Sequence, residues 1–274
     1  MNIQTKRSET GHLGGRTNSA EMQMMHEALA SLHRASEGVA AQIAGAACVQ
    51  NDAMTLSMAA NLPASAIVLN HGFVRPDADT LAEAAGCYRQ NGITRFFLST
   101  LHEPSEEALS AAGLVPARGW RLFRRSLARS GPEVSTDVSI QRVSSGRAKD
   151  FAEIVSDAFD LGDASRPMLA KLPDAKGWYL FQAEIDGKVA GTGALYIADR
   201  LAWTDFGATS PEQRNKGVQK ALLSHRITFA RQKGCQEILT CTGESVPGEA
   251  QISYHNIQKS GFREAELLLN YTAG

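Results

Sequence analysis

The sequence predicts an α+β protein, a mixed α/β sheet flanked by helices, built from two consecutive copies of one fold. Apolar residues recur with the period of strands in some segments and with the period of amphipathic helices in others, and the two kinds alternate along the 274 residues. Both halves end in the order strand, helix, strand, helix and strand. Asn91-Gly92 and Gly113-Leu114 in the first half have counterparts in Lys233-Gly234 and Gly261-Phe262 in the second.

The first half is predicted to begin with a helix from Ala20 to about Ala35. Methionine and leucine recur there at helical spacing, and such a stripe is typical of core packing. Strands of small residues follow. The remaining predicted elements are strand Ala66–Asn70, helix Asp79–Gln90, strand Arg95–Thr100, helix Ser105–Ala112 and strand Gly119–Leu127.

The second half is predicted to begin after the turn-forming residues Ser130-Gly131-Pro132. Its expected elements are strand Val138–Val143, helix Ala148–Phe159, a short helix from Pro167 to Leu172, strands Trp178–Ile185, Lys188–Ile197 and Ala202–Thr209, helix Gly217–Gln232, strand Glu237–Cys241, helix Gln251–Lys259 and strand Glu264–Tyr271. We therefore predict a flexible tail over residues 1–20, a first domain over 21–130 and a second domain over 131–274.

The composition argues against several classes of function. Lysine and arginine total 28 against 29 aspartate and glutamate, so the formal net charge is −1 and nothing favours nucleic acid or an anionic membrane as a partner. No apolar run is long enough for a membrane helix, and no signal peptide is recognisable. The four cysteines have neither disulfide-framework nor metal-ligand spacing, which favours a reduced, cytoplasmic protein without a metal.

The segment from Thr209 to Leu222 carries the strongest chemical signal, because it joins the end of a strand to the start of an amphipathic helix. The free backbone N–H groups and the dipole of a helix N-terminus form an anion site. Gly217 allows close approach of the backbone to a phosphate, and Arg214, Lys216 and Lys220 add positive charge. An ordinary loop with a solvated basic face has the same spacing, so that interpretation stays open. Neither a P-loop nor a dinucleotide-binding glycine motif is present.

Arg214–Gln219 resembles the acyl-CoA-binding motif of the GNAT acetyltransferase superfamily, Arg/Gln-x-x-Gly-x-Gly/Ala. Gln219 stands where the family has Gly or Ala, so its side chain is expected to point away from the pyrophosphate. Downstream, Ser253-Tyr254-His255-Asn256 and Gly261-Phe262 resemble the late helix and following turn of the family. The order of elements from Val138 to Tyr271 also fits, so the resemblance covers the whole second half.

The first half looks like a degenerate copy of the same fold. Its equivalent loop, Asn70–Asp79, lacks the motif and contains aspartates that would repel a pyrophosphate. We therefore expect one cofactor site in a tandem pair, with the first domain shaping the substrate cleft or supporting the second.

The resemblance implies an acetyl-CoA-dependent N-acetyltransferase. The co-substrate would lie in a V-shaped gap between the parallel strands Ala202–Thr209 and Glu237–Cys241, and an amine would attack the thioester directly while a strand N–H stabilises the oxyanion. The residues implied to hold acetyl-CoA are Phe206, Gly207, Ala208, Arg214, Asn215, Lys216, Gly217, Val218, Gln219, Lys220 and Asn256.

The general base and the general acid are less directly indicated. Family bases are often carboxylates on the strand before the motif, but that position is Trp203, so Asp205 on the same strand face and Glu244 after the next strand are the candidates. The usual tyrosine acid position is Ile257. Tyr254, one turn earlier on the same helix face, is therefore the candidate acid, and Tyr271 is the reserve.

Two other functions stay open at this point. One is a non-catalytic acyl-CoA-binding regulatory protein, consistent with the departures at Trp203 and Ile257. The other is a structural pseudoenzyme in which Gln219 has closed the site. The acceptor of an active enzyme would be a small-molecule or peptide amine, and the sequence indicates neither its identity nor the oligomeric state.

Overall fold

The computed structural model describes residues 20–128 and 138–274. The predicted tail over residues 1–20 lies almost wholly outside the described residues, and so does the predicted junction at Ser130-Gly131-Pro132. Within the described residues, no helix is long and apolar enough to cross a bilayer.

The first half contains four helices and five strands in the described residues. They are α1 Ala20–Ala35, α2 Val39–Ala44, β1 Ala46–Gln50, β2 Met54–Ala59, β3 His71–Val74, α3 Ala78–Gln90, β4 Phe97–Thr100, α4 Glu106–Ala112 and β5 Leu114–Ser126.

The second half begins with an edge strand and continues with a three-stranded meander. Its elements are β6 Ser139–Arg142, α5 Ala148–Ala158, α6 Arg166–Leu169, β7 Trp178–Ile185, β8 Lys188–Ala198, β9 Leu201–Thr209, α7 Val218–Gln232, β10 Glu237–Gly243, α8 Ile252–Lys259 and β11 Arg263–Ala273. Short 3-10 turns at Ser145–Arg147, Asp163–Ser165, Leu172–Asp174 and Pro211–Gln213 connect some of them.

The eleven described strands form one mixed sheet in the order β1-β2-β3-β4-β11-β5-β10-β9-β8-β7-β6. β3 runs parallel to β4, and β9 runs parallel to β10. The last strand of each half pairs antiparallel with the other half, because β11 lies beside β4 and β5 lies beside β10. The same pairing pattern therefore occurs twice around the contact between β11 and β5, and the sheet is continuous across both halves. The mixed α/β fold with a large sheet flanked by helices is confirmed, whereas this exchange of the final strands was not predicted.

Three hydrophobic clusters hold the helices on the sheet. The largest joins the two halves, since it combines Met22 and Met25 of α1 with Phe151 of α5 and Met168 of α6. The second lies under α7 and α8, and the third under α3 and α4. The methionine stripe of α1 is buried as expected.

One predicted strand, Ala66–Asn70, is wrong. This segment is a turn, in which the N–H groups of Leu69 and Asn70 each donate to the carbonyl of Ala66 at 3.1 Å. The buried Asn70 side chain accepts from the Ala59 N–H at 2.8 Å, which fixes the turn against β2. A buried turn and a buried strand have the same short apolar run in sequence, so periodicity does not separate them.

Candidate functional site

A gap opens between the parallel strands β9 and β10. In the described residues they pair only over Leu201–Trp203 and Glu237–Leu239, while each continues to pair with its outer neighbour, β8 or β5. From Thr204 onward, the backbone N–H and C=O groups on the side of β9 that faces β10 therefore border a gap and have no paired strand beside them. The V-shaped gap expected between these strands is present in the geometry.

A β-bulge in β9 shapes this edge. The register between β8 and β9 shifts between Thr192 and Ala194, and Phe206 at the shift has a φ of +46°. A positive φ in a bulky aromatic residue costs on the order of 1–3 kcal/mol, so surrounding contacts must hold it in place. The bulge redirects the backbone of Phe206 and Gly207 at the point where the gap begins.

The buried guanidinium of Arg226, on α7, supports the bulge. Its Nη1 donates to the carbonyls of Ala194 at 3.1 Å and Asp205 at 3.2 Å, and its Nε donates to the Leu222 carbonyl at 3.2 Å. Gly193 makes room for it, since a Cβ there would lie 2.9 Å from Cζ of Arg226. Burial lowers the pKa of Arg226 to about 10, although the negative charge of Asp205 acts to raise it. The side chain therefore stays charged at neutral pH. Arg226 was not among the predicted site residues.

We expect Arg226→Met to destabilise the protein by about 3 kcal/mol, because the carbonyls that the bulge leaves unpaired would lose their donor in a buried setting. Urea unfolding of the variant measures this. Gln232→Met is the control, since Gln232 is exposed on the same helix and its replacement should change the free energy of unfolding by less than about 0.5 kcal/mol. Equal stability of both variants would contradict the supporting role of Arg226.

Asp205 presents its carboxylate at the bulge. Oδ1 accepts from the Phe206 N–H at 2.7 Å, and Oδ2 accepts from Nε1 of Trp203 at 3.1 Å. Burial raises the pKa of Asp205, and this effect outweighs the two hydrogen bonds and the charge of Arg226, all of which favour the ionised form. A carboxylate with a raised pKa and spare lone pairs is suited to accepting a proton.

A cavity of about 330 Å³ extends from the gap to the first half of the chain. Asp205, Phe206 and Gly207 line one side of it, and Thr240–Gly243 of β10 line another. Residues of α1, β3 and β5 close it from the first half. Six aromatic side chains line this cavity. They are the three tryptophans of the chain, Trp120, Trp178 and Trp203, and the phenylalanines Phe73, Phe159 and Phe206.

The N-terminus of α7 has the features of an anion site. Gly217 is the residue before the helix and has a φ of +78°, and in the described structure no side chain caps the helix and no acidic residue lies in its first turn. The first backbone N–H groups are therefore available. Arg214, Lys216 and Lys220 are exposed around them, and Nζ of Lys216 donates to Oε1 of Gln213 at 2.9 Å.

Gln219 connects α7 to α8. Its Oε1 accepts from Nδ2 of Asn256 at 2.7 Å, and its Nε2 donates to Oγ of Ser253 at 3.3 Å. The side chain thus turns toward α8 and borders the cavity. Asn256, which was predicted to contact the co-substrate, is hydrogen-bonded to Gln219 in this structure.

Glu244 lies after β10 but is not among the residues that line the cavity. Its Oε1 accepts from the Gly119 N–H at 2.8 Å, so the carboxylate ties the end of β10 to β5. The structure therefore places Asp205, and not Glu244, at the cavity.

Tyr254 lies in a hydrophobic cluster beneath α8. Its ring packs edge-on against Phe123 at 5.0 Å, and it is only 7% exposed. Burial and the nearby Glu264 carboxylate raise the pKa of its hydroxyl to about 12. Ser253 and Ile257 border the cavity from this helix, whereas Tyr254 does not, and this position favours a packing role for Tyr254. The reserve tyrosine, Tyr271, pairs with Leu98 on the side of the first half.

For the acetyl transfer that the resemblance of Arg214–Gln219 implies, we expect Tyr254→Phe to change the rate by less than about twofold and to lower the free energy of unfolding by about 1 kcal/mol. Urea unfolding and steady-state kinetics on one preparation measure both quantities. A tenfold or larger fall in kcat, with unchanged affinity for acetyl-CoA, would instead establish the hydroxyl as the acid.

The equivalent place in the first half differs from this site. The parallel strands β3 and β4 pair over His71–Phe73 and Phe97–Ser99. Asp77 caps α3, since its carboxylate accepts from the Thr80 N–H at 2.9 Å and from Oγ1 of Thr80 at 3.0 Å. The backbone hydrogen bond from Thr80 is the largest cause of the lowered pKa of Asp77. A negative group already occupies this helix N-terminus, which disfavours a second anion there.

No cluster of three histidine, cysteine, aspartate or glutamate side chains suited to a metal ion occurs in the part of the chain that the structure describes.

Comparison with known proteins connects this geometry to a family. Residues 148–262 match the family model described as the acetyltransferase (GNAT) family. No curated protein matches the chain. The match covers β9 and β10, which form the gap, and the start of α7, which is the candidate anion site.

Several solved structures share the fold. A GCN5-related N-acetyltransferase from Kribbella flavida is 16% identical with a TM-score of 0.57, over 86% of this chain and 95% of that one. A GCN5-related N-acetyltransferase from Sphaerobacter thermophilus is 14% identical with a TM-score of 0.55, over 81% of this chain and 80% of that one. A tandem GNAT protein from the clavulanic acid biosynthesis pathway is 14% identical with a TM-score of 0.50, over 73% and 74% of the two chains. These likenesses show a common fold, and the match to the GNAT family model is confined to residues 148–262.

Proposed function

We propose that this chain is an acetyl-CoA-dependent N-acetyltransferase with a tandem arrangement, in which residues 131–274 hold one acetyl-CoA and the first half is a degenerate copy. The observation that carries the proposal is the uncapped N-terminus of α7, next to two parallel strands that part at Trp203. A diphosphate anion and an extended amide-containing arm are the two chemical groups that this pair of features fits.

The residues present fit both the pyrophosphate and the pantetheine arm of acetyl-CoA. The backbone N–H groups from Asn215 to Lys220 would hold the pyrophosphate, with Arg214, Lys216 and Lys220 adding charge. The open edge of β9 at Phe206, Gly207 and Ala208 would hydrogen-bond the pantetheine arm like an added strand. Asn256 would contact the arm from α8, which requires it to exchange its hydrogen bond with Gln219.

Asp205 is the proposed base. Its carboxylate borders the cavity, and its raised pKa brings its basicity closer to neutral pH. The acceptor attacks as a neutral amine, after its ammonium form has released one proton to solvent. As the amine nitrogen bonds to the thioester carbonyl carbon, Asp205 accepts the second proton that the nitrogen loses. A β9 backbone N–H donates to the carbonyl oxygen as negative charge develops on it. The C–S bond then breaks, and the thiolate that leaves takes a proton from solvent.

A non-catalytic acyl-CoA-binding regulatory protein is the second candidate. It is favoured by Trp203 at the usual base position and by Ile257 at the usual acid position. In this alternative the gap and the anion site have the same roles, and Asp205 serves only to fix the bulge through the Phe206 N–H.

An acceptor screen with detection of free CoA separates the two functions. The full chain is incubated with acetyl-CoA and a panel of amines that spans aryl-alkyl amines, polyamines, amino sugars and peptide N-termini. The proposed enzyme releases thiol above the hydrolysis background with at least one amine. Tight binding of acetyl-CoA with no release for any class would favour the regulatory function.

A further inference from the structure

We propose that the acceptor is a small primary amine with an apolar, aromatic body, bound in the cavity between the two halves with its ammonium group at Asp205. This inference rests on the proposed acetyltransferase function and adds the chemical class of the acceptor. It is carried by the composition of the cavity wall.

The wall is unusually aromatic for a chain in which aromatic residues make up 7%. The ring of Phe206, in the bulge, lies 6.1 Å from that of Trp178 and 6.4 Å from that of Phe159, so two further aromatic rings flank it. Trp120 closes the opposite side from β5. An enclosure of this kind removes an apolar ligand from water and offers ring faces to a cation.

Asp205 is the only carboxylate among the described residues that line the cavity. Each of its oxygens accepts one hydrogen bond from the protein, which leaves lone pairs for a ligand. One carboxylate beside aromatic faces is complementary to one ammonium group. Polyamines, which carry several positive charges along their length, would leave the remaining charges against apolar walls.

The other ionisable groups of the wall are already engaged. Arg226 donates to three backbone carbonyls. His71 is buried beside Oγ of Ser99 at 2.7 Å, and burial, with the neighbouring His26, lowers its pKa to about 3, so it is neutral at physiological pH. The remaining polar wall residues are uncharged. An acidic acceptor therefore finds no available cation.

The cavity also limits the size of the acceptor. Its volume of about 330 Å³ includes the part next to β10 and α8, where the acetyl group and the end of the pantetheine arm would lie. The remaining space adjoins α1, β3 and Trp120, which belong to the first half of the chain. The degenerate first half thus supplies much of the acceptor pocket, and it suits a small molecule better than a folded polypeptide.

A binding experiment without acetyl-CoA tests the pocket independently of the proposed reaction. The full chain is titrated with 2-phenylethylamine, 2-phenylethanol and spermidine, and binding is followed by tryptophan fluorescence. We expect the aromatic amine to bind roughly tenfold or more tightly than either the neutral alcohol or the polyamine. Asp205→Asn should remove the preference for the amine over the alcohol and leave the affinity for the alcohol unchanged. Equal binding of amine and alcohol by the unaltered protein, or tighter binding of spermidine, would overturn the inference.

Kinetics with acetyl-CoA provide the second test. Trp120→Ala should lower kcat/KM for 2-phenylethylamine by roughly tenfold or more while the affinity for acetyl-CoA is unchanged. Tyr179→Ala, which removes an aromatic ring that packs on Phe229 outside the cavity, is the control and should leave kcat/KM unchanged. Faster acetylation of polyamines or amino sugars than of aromatic amines would refute the acceptor class and leave the acetyltransferase function intact. Binding of phenylethylamine by a protein that does not bind acetyl-CoA would refute the function and leave the pocket intact.

Discussion

Replacing Gly217 by glutamate is expected to abolish the binding of acetyl-CoA. Gly217 has a φ of +78°, a conformation that residues with a Cβ adopt only at a cost of about 1–2 kcal/mol. The added carboxylate would also lie at the start of α7, where it competes for the free N–H groups and repels a pyrophosphate. We expect the affinity measured by isothermal titration calorimetry to fall by at least about 100-fold.

A glycine at the other end of the same helix provides the control. Gly234 has a φ of +80°, and a Cβ there would meet nothing within 4 Å. Gly234→Glu therefore introduces similar backbone strain and the same charge, but far from the anion site. Both variants should have similar melting temperatures, and only Gly217→Glu should lose acetyl-CoA. Unchanged affinity in Gly217→Glu would place the anion site elsewhere.

Asp205→Asn should lower kcat by about 10²- to 10⁴-fold while acetyl-CoA still binds. The amide has nearly the shape of the carboxylate and can still accept from the Phe206 N–H through Oδ1, so the bulge should persist, although Nε1–H of Trp203 loses its acceptor. The amide cannot take the proton of the attacking amine, and this loss is the reason for the slower reaction.

The pH dependence should identify Asp205 more specifically. Because burial raises the pKa of this carboxyl, it becomes protonated and inactive as a base at a higher pH than an ordinary aspartate. The proposed activity of the unaltered protein should therefore fall as the pH drops through this raised pKa. The residual activity of Asp205→Asn should lack the part of this fall that is due to protonation of Asp205.

Glu244→Gln is the matched control for this substitution. Its Oε1 can still accept from the Gly119 N–H, so the connection between β10 and β5 should remain. We expect less than about a twofold change in kcat. If Glu244→Gln were slow and Asp205→Asn nearly normal, the role of base would belong to Glu244.

Most elements of the fold could be predicted because their apolar patterns are local. Helix α1 has the predicted limits, Ala20–Ala35, and α7 begins one residue after its predicted start. The exchange of β5 and β11 could not be predicted in this way, since a strand has the same alternation whichever half supplies its neighbour. The turn at Ala66–Asn70 was missed because its apolar residues are buried without forming a ladder.

In the candidate site, too, some features could be predicted from the sequence and others could not. The open N-terminus of α7 could be predicted because a glycine at a helix start and the charges around it are visible in the sequence. Arg226 was missed because its partners are backbone carbonyls, which leave no pattern in the sequence. The direction of Tyr254 depends on its contact with Phe123, a residue of the other half, which helical spacing on α8 does not reveal.

The stoichiometry of acetyl-CoA binding tests the central claim most directly. Calorimetric titration of the full chain should give one acetyl-CoA per chain, because α7 has an open N-terminus beside parted strands, whereas Asp77 caps α3 beside strands that stay paired. The single site should disappear in Gly217→Glu. Two sites per chain, or one site that survives Gly217→Glu, would contradict the assignment of one acetyl-CoA to the second half.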